Sequence, residues 1–207
     1  MLNETSLVQE IVSSVREAVP SNIPVTAKIR LGYEERNNYL QNAKAIEKAG
    51  ANELFVHARS KADGYKPPAY WQCIGEINQE LSIPVIANGE IWSVEDFDKC
   101  KHQSQSVDFM IGRGLLARPD LALAIKHHQN GNDYSPMPWK SVLNKVHAFF
   151  LLTCHAYPPK YMGNRLKQWL FYLKLHYPQA NELFEQIKRL KDFDNIDTHL
   201  KHAMHFS

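Results

Sequence analysis

The stretch Ile83-Pro84-Val85-Ile86-Ala87-Asn88-Gly89-Glu90 (residues 83–90) is a short apolar segment that runs directly into an Asn-Gly turn. A run of apolar, β-branched residues bounded by turn formers predicts a buried β-strand. The segment 107–114 has the same form, because an apolar run leads into Gly112-Arg113-Gly114. Polar residues and glycines therefore follow two successive strands at their carboxyl ends.

Strands and helices alternate through the first 131 residues. Strands are predicted at 23–30, 53–57, 83–87 and 107–112. Amphipathic helices are predicted at 5–19, 38–49, 70–80, 94–102 and 119–129. Because a parallel strand pair needs a helical crossover, this alternation predicts a parallel sheet. Four such units fit half of an eight-fold barrel or an open doubly wound sheet.

Polar residues and glycines at the strand ends favour the barrel. They are Lys28 and Arg30, His57 and Arg59, Asn88 and Gly89, and Gly112 and Arg113. Barrel enzymes keep their sites at this face. We therefore predict an α/β fold in which residues 1–131 form the C-terminal half of a TIM-type (β/α)8 barrel.

The chain changes character after a turn-rich break at 130–138. Helical apolar spacing is seen in four further segments, at 139–153, 160–176, 179–191 and 194–205, and none of this region has strand character. We predict a small all-α domain over residues 136–207.

Composition excludes several classes of protein. The net charge of +2 gives no overall basic character, so nucleic-acid binding depends on local clusters. The three cysteines lack C-x-x-C spacing, which argues against structural zinc and a disulfide framework. Histidines and carboxylates at ligand spacing are missing, so no metal is predicted.

No apolar run reaches the roughly 20 residues of a membrane span. We expect a cytoplasmic protein.

Two glycine-containing loops are candidates for binding a phosphate. Gly112-Arg113-Gly114 combines close backbone approach with a bidentate cation, and Asn88-Gly89-Glu90 follows the preceding strand. Barrels frequently hold a phosphate at the loops after their last two strands. A Gly-Arg-Gly turn by itself is more often an ordinary turn, but two such loops in consecutive units favour a bound phosphate.

Charged residues on the first two strands are candidates for contact with an anionic or electron-rich ligand. Lys28 and Arg30 lie on one face of their strand, and His57 and Arg59 repeat this spacing on the next. The alternative is that the cations extend to solvent at the strand ends.

The helical region has a cationic cluster with nearby aromatic residues. Lys160, Arg165 and Lys167 could contact RNA phosphates while aromatic rings stack on bases. The alternative interpretation is a solvated helix face.

Four segments in order, 25–32, 55–59, 83–91 and 110–114, resemble the strand-end motifs of the tRNA-dihydrouridine synthases. The segment 165–173 is similar to that family's RNA-binding helical domain, and the chain looks like the bacterial C-type subfamily, which acts on uridine 16 of the D-loop. The resemblance implies reduction of the uracil C5–C6 double bond by a flavin hydride, with NADPH as reductant and the target base flipped out.

The resemblance also implies residue roles. Lys28 and His57 would contact FMN, and Arg30 and Arg59 would lie near the substrate uridine. The phosphate end of FMN would be held by Asn88, Gly89, Glu90, Gly112 and Arg113.

The chain departs from the family pattern in its catalytic part. It has no proline-methionine turn with the flavin-contacting glutamine and no Asn-x-x-Cys-Pro loop, so no catalytic residue is assigned. We expect a C-terminal portion that alone binds FMN weakly and does not reduce uridine. Its open sheet edge would pair with the missing N-terminal half-barrel or with a second copy. The alternative hypotheses are a different FMN-dependent barrel oxidoreductase and a non-catalytic RNA-binding half-barrel module.

Overall fold

A computed structural model describes residues 2–158 and 161–206. The chain divides into two compact units, Met1–Gly112 and Arg113–Ser207. The first unit contains four strands and four helices among its described residues: α1 (Thr5–Ala18), β1 (Thr26–Arg30), α2 (Tyr39–Lys48), β2 (Glu53–His57), α3 (Trp71–Glu80), β3 (Val85–Asn88), α4 (Val94–Ser104) and β4 (Phe109–Met110).

The four strands form one parallel sheet in the order β1-β2-β3-β4. Sequential order with a helix between each strand pair confirms the predicted α/β alternation and the parallel pairing. The bounds of three strands differ from the prediction. Strand β3 spans Val85–Asn88 and not residues 83–87, since Pro84 lacks an amide hydrogen. Strand β1 begins at Thr26, not at residue 23, because Pro24 has no amide hydrogen and the Ile23 amide closes a turn on Pro20. Strand β4 spans two residues only, and Val107 is largely exposed before it.

The sheet has one apolar face and one mixed face. In parallel strands, residues in register point to the same side and successive residues alternate. The face that packs on the helices is largely buried, and Phe109 on it contacts Phe97 of α4 edge to face at 4.7 Å. The opposite face carries Lys28, Arg30, Phe55, His57, Ile86, Asn88 and Met110.

The described residues of the second unit contain helices and no strand: α5 (Arg113–Ala117), α6 (Leu121–Gln129), α7 (Trp139–Ala156), α8 (Met162–Leu173), α9 (Pro178–Ile187) and α10 (Phe193–His205). All four predicted tail helices are present. Helix α5 was not predicted, because glycine is a poor helix former and the Gly-Arg-Gly motif indicates a loop. Gly114 is nevertheless buried inside it, and its carbonyl accepts from the Arg118 amide.

Apolar side chains from α7 to α10 form a separate core in the second unit. Its fully buried members include Leu143, Phe150, Leu166, Leu170 and Leu200. Helix α8 contributes positions 166, 170 and 173, the i, i+4, i+7 spacing of a single helical stripe. In the part of the chain that the structure describes, no helix is long and apolar enough to cross a membrane.

Candidate functional site

The carboxyl ends of the strands bring three predicted site residues into one row with Met110 of β4. Arg30 is in register with His57, His57 with Asn88, and Asn88 with Met110. Because all four strands are parallel, these positions lie at one edge of the sheet and on its mixed face. Lys28 is on the same face, two residues earlier in β1. The first unit therefore groups Lys28, Arg30, His57 and Asn88 as the sequence predicted.

The two cations of β1 have different surroundings. The Lys28 side chain is exposed, and the partial burial of its ammonium, with the Arg30 charge nearby, lowers its pKa from the ordinary lysine value. Arg30 binds the loop after β2, since its Nη1 donates to the Ser60 and Gly64 carbonyls at 2.8 and 3.0 Å. Its guanidinium also lies 5.4 Å from the centre of the Tyr65 ring. Lys28 is thus the more available cation of the pair.

His57 and Gly89 are in direct contact. Gly89 has a φ of +118°, and a Cβ placed there would lie 2.9 Å from His57 Cδ2 and 3.2 Å from Nε2. The backbone of the 88–90 turn therefore lies against the buried imidazole, an approach that only glycine permits without strain. The indole Nε1 of Trp71 donates to the Gly89 carbonyl at 2.9 Å. Sequence reasoning missed Trp71, which has no motif signal and only the general tendency of a buried indole to find an acceptor.

Arg59 and Glu90 bind each other. Arg59 Nη1 lies 2.9 Å from Glu90 Oε1, and Arg59 Nε donates to the Pro68 carbonyl at 3.2 Å. Arg59 is fully buried, whereas the Glu90 side chain is 17% exposed. The sequence hypothesis gave these residues separate roles, at the substrate and at the cofactor phosphate. In this structure they form one ion pair.

The second predicted phosphate loop is open. Gly112 is exposed, and a Cβ at its position would meet no atom within 4 Å. The side chain of Asn88 reaches the end of the preceding strand, where its Nδ2 donates to the Met110 carbonyl at 2.7 Å. Arg113 directly follows Gly112 as the first residue of α5. The Gly112 backbone is thus accessible, while the Asn88 amide is used to connect β3 with β4.

The predicted RNA-binding residues lie on or near α8. Arg165 is exposed, donates to Gln168 at 3.1 Å and lies 5.6 Å from the Tyr157 ring. Lys167 is half-buried, and its Nζ donates to the Leu190 carbonyl. Burial, with Lys191 nearby, lowers the pKa of Lys167. Lys160 lies outside the described residues. The structure thus keeps Arg165 accessible and anchors Lys167 inside the unit.

An aromatic groove of about 650 Å³ runs beside Arg165. Its lining comprises Leu116, Phe149, Arg165, Gln168, Trp169, Phe171 and Tyr172. The Trp169 and Phe149 rings meet edge to face at 5.2 Å. The sequence indicated only that aromatic residues lie near the cations, because Leu116 and Phe149 reach this groove from two other helices.

Among the described residues, no group of three His, Cys, Asp or Glu side chains could hold a metal ion. The three thiols are all in helices. Burial raises the pKa of Cys73 and Cys154, and raises that of the fully buried Cys100 to about 12. In all three thiols the net shift of the pKa is upward, whereas an activated cysteine has a lowered pKa.

Charge is divided unequally between the units. Positions 113–207 carry 13 Lys and Arg against 7 Asp and Glu, which gives +6. Positions 1–112 carry 11 against 15, which gives −4. The net charge of +2 conceals this difference, and only the helical unit has the basic balance typical of RNA-binding surfaces.

Known proteins are similar to this chain over nearly all of its length. The family model described as dihydrouridine synthase (Dus) matches residues 1–205. The chain belongs to the dihydrouridine synthase family. Proteins named tRNA-dihydrouridine(16) synthase are 43% identical in Pseudomonas putida and 45% in Pseudomonas syringae pv. tomato, each over 95% of this chain, and 42% in Shewanella oneidensis over 99%.

The family match confirms the resemblance that the four strand-end motifs indicated. The same match argues against the alternative of a different FMN-dependent barrel oxidoreductase. The chain spans 61%, 62% and 64% of the length of these three dihydrouridine synthases.

Proposed function

We propose that this chain serves the flavin-dependent reduction of a tRNA uridine to dihydrouridine. In this proposal, residues 1–131 supply the C-terminal half of a (β/α)8 barrel and residues 136–207 form a helical tRNA-binding domain. The observation that carries it is the placement of Lys28, His57 and Asn88 on one face of the sheet, with Gly89 against His57, in a member of the dihydrouridine synthase family. The names of the similar proteins point to uridine 16 as the target.

The strand-end residues fit FMN. Lys28 offers an exposed cation, His57 and the glycine turn offer a shaped contact surface, and Gly112 leaves room for a phosphate beside its backbone. When bound, FMN supplies the hydride for the C5–C6 double bond, with NADPH as the source of electrons. Lys28 would stabilise negative charge on the reduced ring, and His57 would donate to it. Gly89, Gly112 and Arg113 would hold the phosphate end.

The helical unit fits tRNA. Its net charge of +6 favours phosphate contact, and Arg165 stands beside exposed aromatic rings that can stack on bases. Lys160 would add a phosphate contact, whereas Lys167 is bound to the Leu190 carbonyl and is the weaker candidate. Arg30 is the better candidate for a contact near the uridine, because it is only half-buried whereas Arg59 is fully buried.

Reduction also needs a proton donor for the base. The family's donor loop, Asn-x-x-Cys-Pro, does not occur in the 207 residues. We therefore propose that this chain alone binds FMN weakly and does not reduce uridine. Turnover would require a complementary half-barrel that supplies this donor and pairs with the open edges of the sheet.

Titration of the purified chain with FMN, followed by flavin fluorescence, tests the cofactor site. Saturable binding is expected, with at least a ten-fold loss in Lys28→Met and in His57→Ala. Lys44→Met is the matched control, because Lys44 is an exposed residue of α2 that forms a surface ion pair with Glu80. Equal affinity in all four proteins would overturn the FMN assignment, and tRNA-dependent NADPH oxidation by this chain alone would overturn the proposed inactivity.

A non-catalytic RNA-binding module is the second candidate. The missing donor loop and the basic helical unit favour it. It predicts salt-dependent tRNA binding by a chain that shows no saturable FMN binding. The FMN titration therefore separates the two functions.

A further inference from the structure

Arg59 is a charged side chain in the interior of the first unit. It has no exposed surface, and burial of a guanidinium is costly unless ion pairing and hydrogen bonds compensate. Glu90 and the Pro68 carbonyl supply two such partners. Its Nη2 makes no hydrogen bond within residues 2–158 and 161–206. The role of such a buried residue is therefore determined by the groups that it binds.

Arg59 connects the loop after β2 to the turn after β3. Its Nε binds Pro68, eleven residues beyond the end of β2, and its Nη1 binds Glu90, two residues beyond the end of β3. Glu90 has a φ of +54°, which is unfavourable for a residue with a side chain. The ion pair offsets this unfavourable backbone conformation and keeps the turn in it.

The 88–90 turn is held from two sides. Trp71 binds the Gly89 carbonyl, and Arg59 binds the Glu90 side chain. Between them, Gly89 lies against the His57 imidazole. A change in either support would move the Gly89 backbone relative to His57.

Side-chain hydrogen bonds also connect the other neighbouring βα units at the carboxyl ends of the strands. Arg30 of β1 binds the loop after β2, and Asn88 of β3 binds the end of β4. Arg59 supplies the connection between them, from the second loop to the third. Each of these side chains reaches the next βα unit, which leaves Lys28 as the exposed cation on the face.

We propose that Arg59 is a positioning residue: through Glu90 it fixes the 88–90 turn in the shape in which Gly89 packs against His57, and it contacts neither cofactor nor uridine. This inference rests on the proposed FMN site. It assigns the Arg59–Glu90 pair to the shape of the cofactor surface and removes both side chains from the ligand-contacting set.

The test uses the full chain with Glu90→Gln, which keeps size and one acceptor oxygen but removes the charge that Arg59 faces. Two readouts are needed. The first is the FMN dissociation constant, and the second is the ¹H–¹⁵N resonance of the Trp71 indole, assigned by its loss in Trp71→Phe. Ile77→Ala is the matched control. Ile77 is fully buried in α3, and its apolar side chain cannot form a hydrogen bond with the 88–90 turn.

Glu90→Gln is expected to weaken FMN binding at least ten-fold and to shift the Trp71 resonance. Ile77→Ala should lower the unfolding midpoint without either change. Weaker FMN binding with an unmoved Trp71 resonance would show direct contact by Glu90 and overturn the inference. A moved resonance with unchanged FMN affinity, or no change in either readout, would overturn it as well.

Arg59→Lys provides the same two readouts if Glu90→Gln does not fold, since it keeps the buried charge. Loss of folding in both variants would assign the pair to the core alone and overturn the positioning role. Loss of tRNA affinity in Arg59→Lys with both readouts unmoved would place Arg59 at the substrate, against the inference. Failure of the wild-type chain to bind FMN would overturn the proposed function and the inference with it, whereas wild-type affinity in Glu90→Gln overturns the inference only.

Discussion

At the scale of single residues, the backbone of Gly89 and the imidazole of His57 define the part of the site that tolerates least change. A positive φ and a neighbouring ring both require the absence of a Cβ at this position. Lys28 is different, because its side chain is exposed. Partial burial and the nearby Arg30 charge lower its pKa. Geometry at the site is therefore determined mainly by the turn, and charge mainly by Lys28.

Gly89→Ala is expected to destabilise the chain by about 2–4 kcal/mol, from about 1–2 kcal/mol of backbone strain plus displacement of His57. Gly64→Ala is the control. Gly64 also has positive φ, at +59°, but a Cβ there meets nothing within 4 Å. Urea unfolding should show the larger loss for Gly89→Ala, and equal losses would contradict the contact with His57.

The thiols provide a second prediction at this scale. Cys100 is fully buried with a pKa of about 12, so a thiol reagent at pH 8 should not label it in the folded chain. Cys73 and Cys154 are half-buried with raised pKa values and should react slowly. Mass spectrometry after labelling identifies each site, and denaturant should make all three reactive. Rapid labelling of Cys100 without denaturant would be inconsistent with its burial.

At the scale of helices and strands, polar side chains connect elements whose apolar faces are already packed. In the second unit, Asp197 of α10 accepts from His147 Nε2 of α7 at 2.7 Å and from Lys201 Nζ at 2.6 Å. Burial raises the pKa of Asp197, but the hydrogen bonds from Lys201 and His147 lower it by more than burial raises it. The pKa is therefore below its ordinary value. This cluster therefore stabilises the packing of α7 on α10 when the carboxylate is charged.

Asp197→Asn is expected to cost about 1–3 kcal/mol at neutral pH, the range of a hydrogen bond to a charged group. Because the folded pKa lies below the unfolded value of about 3.9, this stabilisation is present above that value and is lost as pH falls through the folded pKa. Urea unfolding of both proteins at pH 7 and pH 3 should show the difference shrinking in acid.

Glu185→Gln is the control for the Asp197 experiment, because Glu185 forms an exposed pair with Lys188 within one helix. Its effect on stability should be the smaller of the two. A stability difference between wild type and Asp197→Asn that grows towards acid pH would contradict the assigned direction of the shift.

At the scale of the whole molecule, the two units differ in both architecture and charge. The unit with the sheet carries −4 and the helical unit +6. Each has its own buried core, so a substitution in one core need not act through the other. This separation agrees with a proposed division of labour between cofactor binding and RNA binding.

The logarithm of the tRNA association constant is expected to fall linearly with the logarithm of salt concentration. Arg165→Gln should reduce the slope by about 1, the effect of one lost phosphate contact. Lys44→Gln, in the acidic unit, should leave the slope unchanged. Filter binding over a range of salt concentrations measures all three proteins. Equal effects of the two substitutions would contradict RNA binding by the helical unit.

The sequence alone predicted the parallel sheet, the helices around it and the row of strand-end residues, because apolar periodicity and turn formers are local signals. Helix α5 and the short β4 were not predictable, since glycine indicated a loop and an apolar run indicated a longer strand. Lys28 and His57 were predicted as site residues from the alternation of polar residues along two strands. Their placement on one face followed from the parallel order.

What only the tertiary structure decided is how the polar side chains are used. Arg59 and Glu90 are 31 residues apart and pair in the interior, Trp71 supports Gly89 across 18 residues, and Arg165 lies in a groove shared with Phe149. The physical reason is that a buried charge must find its partner wherever the fold brings one within hydrogen-bond distance. Local sequence therefore determined which residues lie at the strand ends, and packing determined which of them pair with one another, as Arg59 and Glu90 do, and which stay exposed, as Lys28 does.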